Sequence, residues 1–310
     1  MPESEPGVPL GVNRVGLPGI FARGLLMGAA DIVPGVSGGT MAFITGIYTR
    51  LLGAITAFDL DLLRQLRRGD WRAAWSRIDG AFLVALVAGI LCSVISLARL
   101  IAYLLEVYPV QLWAFFFGLI LASALLLIRR VQRWTAGVGA GLLIGGVLAA
   151  VIGLSPALSF PEGLSGFFLA GFLAICAMIL PGISGSFILV LLGMYARVLD
   201  AIHGLVLLPL GLFALGAGCG LLVFSRLLRL LLERFHSATL ATLTGFLLGS
   251  LPVIWPWKLN AIDEAPARPV WPANYAEQLG DPQLLPCLLL AVAGFFAVWL
   301  LESRWGGPER

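Results

Sequence analysis

The sequence contains few charged residues. Of its 310 residues, 12% are charged and 59% are hydrophobic, whereas soluble domains carry about 25% charged residues. So little polar surface cannot enclose so large an apolar core in water, and lipid is therefore the expected outer solvent. The composition predicts an all-α polytopic membrane protein.

Residue types that mark other common sites are also scarce. The net charge of +3 is too small to indicate a nucleic-acid partner. The four cysteines include no CxxC pair, so the sequence indicates neither a zinc site nor a disulfide framework. The two histidines, His203 and His236, have no neighbouring ligand residues. We therefore expect no metal and no cofactor.

Six apolar segments have roughly the ~20 residues that a bilayer core requires. They are residues 80–104, 111–128, 134–153, 206–226, 237–256 and 284–301. Two further apolar stretches, 17–57 and 163–203, are 41 residues long and are broken near their middle by Pro-Gly. A continuous helix of that length would reach ~60 Å, twice the hydrocarbon thickness. We therefore expect two re-entrant helical hairpins with tips near the midplane, and polar tails at 1–16 and 304–310.

Arginine is distributed unevenly between the connecting segments. It is frequent in three places: the segment 58–79, the turn after the second predicted crossing, and the end of the fourth crossing. The turns at 105–110 and 154–162 contain no Lys or Arg. The positive-inside rule assigns the arginine-rich segments to the cytoplasm. On this assignment both termini are cytoplasmic and the loop 257–283 faces outward.

The chain contains an internal repeat. A shift of 147 residues aligns 28–55 with 175–202, with twelve of 28 positions identical. A shift of 127 aligns 96–123 with 223–250. The two shifts differ by about the length of the arginine-rich segment 58–79, which has no counterpart in the second half.

The repeat predicts two halves, 17–155 and 156–303, each made of one hairpin and three crossings. Because three is an odd number, the second half enters the membrane inverted relative to the first. Inverted repeats with paired broken helices are typical of secondary transporters.

The hairpin tips are candidate anion sites. Proline ends the first half-helix, glycine allows the reversal, and Ser37 or Ser184 is placed to cap the helix that follows. A helix N-terminus with free N–H groups then faces the membrane centre, where it favours an anion. The alternative is a plain kink or a loop between short crossings. The candidate residues are Pro34, Gly35, Ser37, Gly38, Gly39, Thr40, Pro181, Gly182, Ser184, Gly185 and Ser186.

Asp31 has no acidic counterpart in the repeat, because Met178 occupies the equivalent position. It lies near the C-terminal end of a half-helix, where negative charge is disfavoured, and intramembrane carboxylates are usually functional. We interpret it as a candidate proton or cation (H⁺ or Na⁺) coupling site, and Glu106 and Glu233 are further candidates for this role. The alternative is a carboxylate paired with an arginine or with backbone donors.

Several charged residues recur in both halves. Arg99 and Arg226 each precede a glutamate, Glu106 or Glu233, by seven residues and share a helix face with it. They could offer a phosphate one cation on each side of the tips, or they could be snorkelling and structural pairs.

A further arginine pair, Arg50 and Arg197, lies 13 residues beyond the serines, ~20 Å along a continuous helix. These two arginines are either access residues near opposite surfaces or interfacial anchors.

The segment "GAADIVPGVSGGTMAFITGIYTRLLGAI", together with "FFFGLILAS" and "LPGISGSFILVLLGMY", resembles a bacterial family of polyprenyl-phosphate transporters, formerly a domain of unknown function. The resemblance covers about residues 17–302. The family motif maps onto Asp31, Pro34, Gly35, Ser37, Gly38, Gly39 and Thr40, and onto 181–186 in the second half.

The resemblance implies a flippase in the bacterial cytoplasmic membrane that returns undecaprenyl phosphate, the lipid carrier of envelope polymers, to the cytoplasmic leaflet. The partners it implies are the polyprenyl-phosphate lipid and the bilayer. It implies no enzymatic activity.

Two other functions remain open from the residues alone. Lipid-pyrophosphate phosphatases also use re-entrant helices with a Pro-Gly-x-Ser turn, but neither turn here has a neighbouring histidine or an acidic pair for proton transfer. An ion-coupled transporter of a small soluble anion would use the same helix ends.

Overall fold

A computed structural model describes residues 16–32, 37–155, 160–161, 163–259 and 268–305, which are mostly helical. The helices of the first half are α1 (Leu17–Ile32), α2 (Gly38–Ile44), α3 (Tyr48–Thr56), α4 (Leu60–Arg67), α5 (Trp71–Arg77), α6 (Gly80–Val107), α7 (Pro109–Arg129) and α8 (Ala136–Leu154). Those of the second half are α9 (Leu164–Ile179), α10 (Gly185–Leu191), α11 (Tyr195–His203), α12 (Leu207–Arg234), α13 (His236–Ser250), α14 (Pro272–Leu279) and α15 (Leu284–Trp305). A short antiparallel pair, β1 (Lys258–Leu259) and β2 (Arg268–Pro269), precedes α14.

The second half repeats the helix boundaries of the first. Helices α1, α2 and α3 recur as α9, α10 and α11, with both ends of every helix offset by 147 residues, as from Leu17 to Leu164. Helix α6 recurs as α12 with an offset of 127 residues. A single residue with almost the same backbone follows each of these two helices, Tyr108 (φ −130°, ψ 48°) and Phe235 (φ −130°, ψ 46°). The repeated sequence therefore specifies the same succession of helices twice.

The described residues contain five helices that are long and apolar enough to cross a membrane, namely α6, α7, α8, α12 and α15. Five of the six predicted crossings thus appear as such helices, and the chain is a multi-pass membrane protein. The sixth predicted crossing, 237–256, is shorter than expected because α13 ends at Ser250 and is followed by turns. Pro252 explains this end, since proline lacks an N–H and disfavours helical backbone in the residue before it.

Each predicted hairpin contains a second interruption of its helix, which was not expected from the sequence. Gly46 (φ 70°) separates α2 from α3, and Gly193 (φ 63°) separates α10 from α11. The axes of α10 and α11 meet at 107°. Because this left-handed backbone is readily available only to glycine, it interrupts the helix at both sites. The expectation that Arg50 and Arg197 lie ~20 Å along a continuous helix is therefore wrong.

Four close helix pairs organise the interior: α1 with α6, α9 with α12, α8 with α13, and α7 with α15. Glycine permits these approaches. A Cβ atom at Gly24 would lie 2.3 Å from the Leu86 carbonyl oxygen, and one at Gly216 would lie 2.0 Å from that of Phe168. In each half the first hairpin helix thus packs directly against the first crossing.

The segment between α3 and α6 has no counterpart in the second half. Asp59 caps α4 by accepting from Leu62 N at 2.9 Å, and Asp70 caps α5 by accepting from Ala73 N at 3.2 Å. The Arg77 guanidinium, 2.5 Å from Asp59, holds the pKa of that carboxyl below its usual value. The arginine-rich segment is therefore a folded helical insertion.

Candidate functional site

The bends of the two hairpins are in contact. Ser37 Oγ donates to the Met178 carbonyl oxygen at 2.9 Å, and Gly182 N donates to Thr40 Oγ1 at 3.1 Å. Tyr48 Oη donates to the Ile179 carbonyl oxygen at 3.0 Å. Residues more than 130 positions apart in the sequence thus form one hydrogen-bonded unit.

The first bend is built around Ser37. Its backbone is extended (φ −121°, ψ 134°), and its Oγ accepts from Gly39 N at 3.1 Å, so it caps α2 as predicted. A Cβ atom at Gly39 would lie 2.6 Å from the Ile179 carbonyl oxygen, which explains why this position is glycine. Pro34 and Gly35, two of the predicted site residues, lie outside the described residues.

Asp31 lies against the N-terminus of α2. Its Oδ1 accepts from Gly38 N at 2.7 Å, and its buried Oδ2 has no hydrogen-bond partner among the described residues. A Cβ atom at Gly38 would lie 2.5 Å from Oδ2, so glycine is needed for this approach. This bond to a backbone donor is one of the alternatives that the sequence left open for Asp31. The structure adds a favourable contact, because α2 presents its N–H groups to the carboxylate.

The second bend differs in its hydrogen bonds. Gly182 adopts φ 88°, a left-handed value suited to glycine, and Ser184 holds the capping position before α10. Ser184 makes no side-chain cap, and its Oγ lies instead 2.8 Å from Ser186 Oγ. Of the two serines expected to cap a helix, only Ser37 does so. Pro181 and Gly185 are buried here, and a Cβ atom at Gly185 would lie 2.7 Å from the Ala174 carbonyl oxygen.

A small cavity of about 20 Å³, which is partly open, borders the second bend. Its polar groups include the hydroxyls of Ser184 and Ser250, which are 4% and 5% exposed. The rest of its wall comes from α8, the bend, α10 and α13, through Ala149, Ile152, Gly153, Gly182, Ile183, Phe187 and Val253. A small polar group could therefore meet hydroxyl and backbone groups there while apolar walls surround the remainder.

Comparison with known proteins identifies the family. A family model described as VCA0040-like, undecaprenyl phosphate translocase-like, matches residues 27–267. The chain belongs to this family. It is similar to a protein of Vibrio cholerae serotype O1 named polyprenyl-phosphate transporter, with 46% identity over 238 residues and 77% of each chain covered. A Staphylococcus aureus protein of the same name is 31% identical over 253 residues, which cover 76% of this chain and 84% of the relative. No solved structure matches the chain.

The family match includes both bends and every residue that lines the cavity, whereas α15 lies beyond it. The sequence predicted the bends as the site but did not single out Ser250, although its alignment with Ser123 in the repeat was visible. It also missed Arg23, an arginine inside apolar α1 that is 3% exposed. Arg23 Nε donates to the Thr45 carbonyl oxygen at 3.0 Å and so fixes the turn between α2 and α3. A charge within an apolar helix was the available signal.

Two of the arginines predicted to bind phosphate, Arg50 and Arg226, contact protein groups outside the bends. Arg50 forms a two-bonded ion pair with Asp79, at 2.6 and 3.1 Å, and lies 4.3 Å from the ring centre of Phe82. Arg226 donates to the Phe58 carbonyl oxygen at 2.7 Å. These contacts join α3 to α6 and the end of α3 to α12. A contact of either arginine with phosphate stays a prediction.

Neither Arg99 with Glu106 nor Arg226 with Glu233 forms an ion pair among the described residues, so a structural salt bridge within each of these pairs is not observed. Glu233 pairs with Arg229, four residues before it, at 2.8 Å and not with Arg226. Arg99 and Glu106 are exposed, and the described residues give neither a partner. Arg197 is exposed as well. The structure thus brings the serines, glycines, Thr40 and Asp31 together, but places these charged residues in other contacts or on the surface.

Proposed function

We propose that this protein carries polyprenyl phosphate between the leaflets of a bacterial inner membrane and so recycles the carrier lipid of envelope polymers. The observation that carries the proposal is the buried contact of two broken hairpins with a partly polar cavity at one bend. The names of two relatives support the substrate. Only the phosphate head needs a polar route, since the polyprenyl tail can stay in lipid.

The phosphate head is placed at the second bend. Ser184, Ser250 and Gly182 line the cavity, and the Ser250 hydroxyl donates here to the Leu247 carbonyl oxygen at 2.8 Å. When a serine hydroxyl turns to donate to a phosphate oxygen, it forms a charge-assisted hydrogen bond. Apolar side chains at the cavity wall, Ile152 of α8 and Phe187 of α10 among them, lower the local dielectric and strengthen such bonds.

Movement across the bilayer follows from inversion of the two halves. Inverted repeats exchange conformations when access alternates from one side to the other. The described structure supports this scheme because Ser37 and Tyr48 beside the first bend are buried, whereas the second bend borders a cavity. In the opposite state the roles of the two bends are exchanged. On this scheme the termini and the arginine-rich insertion are cytoplasmic.

Asp31 supplies the coupling group. Its Oδ2, which has no hydrogen-bond partner among the described residues, can accept a proton, and protonation removes a negative charge from the first bend before a phosphate approaches that bend in the opposite state. A proton carried with the lipid then neutralises part of the phosphate charge during the crossing.

The test is transbilayer movement of polyprenyl phosphate in vesicles that contain the purified protein, followed by a reagent that reaches only the outer leaflet. The double variant Ser184→Ala with Ser250→Ala should lower the rate by about a hundredfold or more, because each of the two charge-assisted hydrogen bonds contributes about 1.5–3 kcal/mol. Ser96→Ala is the matched control, since Ser96 is exposed and bonds only within its own helix. Equal rates in vesicles with and without protein would refute the proposal, and uptake of soluble phosphate alone would favour a small-anion transporter.

A further inference from the structure

A groove opens between α7 and α15 at the end opposite to their closest contact. The two helices run parallel, because Gln111 bonds to Gln283 just before α15 and Arg130 pairs with Glu302 near the other end, at 3.6 Å. They touch where a Cβ atom at Gly118 would lie 1.8 Å from the Ala291 carbonyl oxygen. Beyond that contact, larger side chains separate the helices.

The groove has a cavity volume of about 200 Å³, below the range of about 300–1,000 Å³ that sites for whole small molecules occupy, so it can take only part of a longer ligand. Its walls are apolar and aromatic, and one guanidinium lies at its rim. The lining residues include Leu125, Leu126, Phe295, Phe296, Trp299 and Arg129. Arg130 is held by Glu302 and by the Phe43 ring, whereas Arg129 has no ion pair or hydrogen bond among the described residues.

We infer that this groove binds polyprenyl phosphate in the cytoplasmic leaflet, with the phosphate on Arg129 and the first isoprene units along Phe295, Phe296 and Trp299. The inference rests on the proposed function. Arg129 is the last residue of a 21-residue crossing and therefore lies where lipid phosphates lie. An arginine fork matches phosphate geometry, and the aromatic rings offer flat apolar surface to an unsaturated chain.

The other pair of this kind, α8 with α13, has no arginine at the corresponding position. Helices α8 and α13 stay close along their length, with glycines at 145, 245 and 249 against carbonyl oxygens of the partner helix. The 127-residue offset places Pro256 at the position of Arg129. The groove therefore serves only one leaflet, and it receives or holds the lipid at the cytoplasmic surface.

The experiment measures polyprenyl phosphate retained by the purified protein in detergent, by native mass spectrometry, with phosphatidylglycerol added as competitor. Arg129→Gln should lower the amount of polyprenyl phosphate retained by about tenfold, because it removes a charged hydrogen-bonded contact. Arg129→Lys should recover part of it, and Arg133→Gln, a change of an exposed arginine outside the groove, should match wild type. Thermal unfolding of each variant verifies that it is folded.

The outcomes separate the groove from the transport proposal. If wild-type protein retains the lipid and Arg129→Gln retains as much, the groove is not the site, although transport can still occur. If phosphatidylglycerol displaces the lipid at equal concentration, the groove takes bulk anionic lipid and the inference is wrong. If wild-type protein retains no polyprenyl phosphate, both the inference and the proposed substrate fail.

Discussion

Tyr48 is 1% exposed, whereas Tyr195, its counterpart in the second hairpin, is 45% exposed. The same difference extends through the two hairpins. In the first, Ser37 caps α2, Arg23 fixes the following turn and Arg50 pairs with Asp79. In the second, Ser184 makes no cap, Ala170 takes the position of Arg23, and the segment that carries Asp79 has no counterpart. Among the described residues, these three contacts of the first hairpin therefore have no equivalent in the second, and the second is the better candidate for the part that moves.

Exchange of one residue between the bends should have the largest effect. Gly39→Ser gives the first bend the residue of the second, and its Cβ atom would lie 2.6 Å from the Ile179 carbonyl oxygen. We expect a destabilisation of about 1–3 kcal/mol and loss of most transport, because the two bends can no longer meet. The reverse change, Ser186→Gly, should leave the melting temperature within a few degrees of wild type. Thermal unfolding and vesicle transport measure both, and similar losses in the two variants would show that the bends are equivalent.

Asp31 has no counterpart in the second bend, and Asp31→Asn should have the next largest effect. The amide has nearly the same shape but cannot exchange a proton, so transport should fall by about tenfold and lose its dependence on pH. Asp200→Asn, a change of an exposed acidic residue in α11, is the control. The measurement is the transport rate across a series of pH values. A variant profile with the wild-type slope would remove Asp31 as the coupling group.

Much of this comparison between the hairpins could be predicted from the sequence, and the rest could not, for physical reasons. The repeat gave the helix order because the same residues meet the same local constraints twice, as at Tyr108 and Phe235. It could not give the partner of Arg50, because Asp79 lies 29 positions away and outside the repeat. Nor could it show that Ser37 and Ser184 bond differently, because that depends on which backbone of the opposite hairpin lies within reach. The second break was visible as Gly46 and Gly193, but a single glycine is often tolerated within a helix.

The tyrosine pair tests the contact between the hairpins. Tyr48→Phe removes the donor to the Ile179 carbonyl oxygen and leaves that oxygen buried, which should cost about 1 kcal/mol. Tyr195→Phe alters an exposed ring and should stay within about 0.5 kcal/mol of wild type. Unfolding of both variants in the same detergent gives the difference. Equal stability of the two variants would mean that this bond does not hold the hairpins together.

Substitution of Arg50 should have the smallest effect on stability, but it should affect the motion of one helix, α3, specifically. Its pair with Asp79 is about one-third exposed, so solvent screening limits the loss in Arg50→Gln to about 0.5–1 kcal/mol. Because the pair joins α3 to the start of α6, its removal should raise hydrogen exchange in α3 towards the rate of α11, with α7 unchanged. Arg197→Gln, the equivalent change in the second hairpin, should not alter exchange in α3. If α3 and α11 already exchange equally fast in the wild-type protein, the two hairpins are equally mobile and the asymmetry of their contacts has no dynamic consequence.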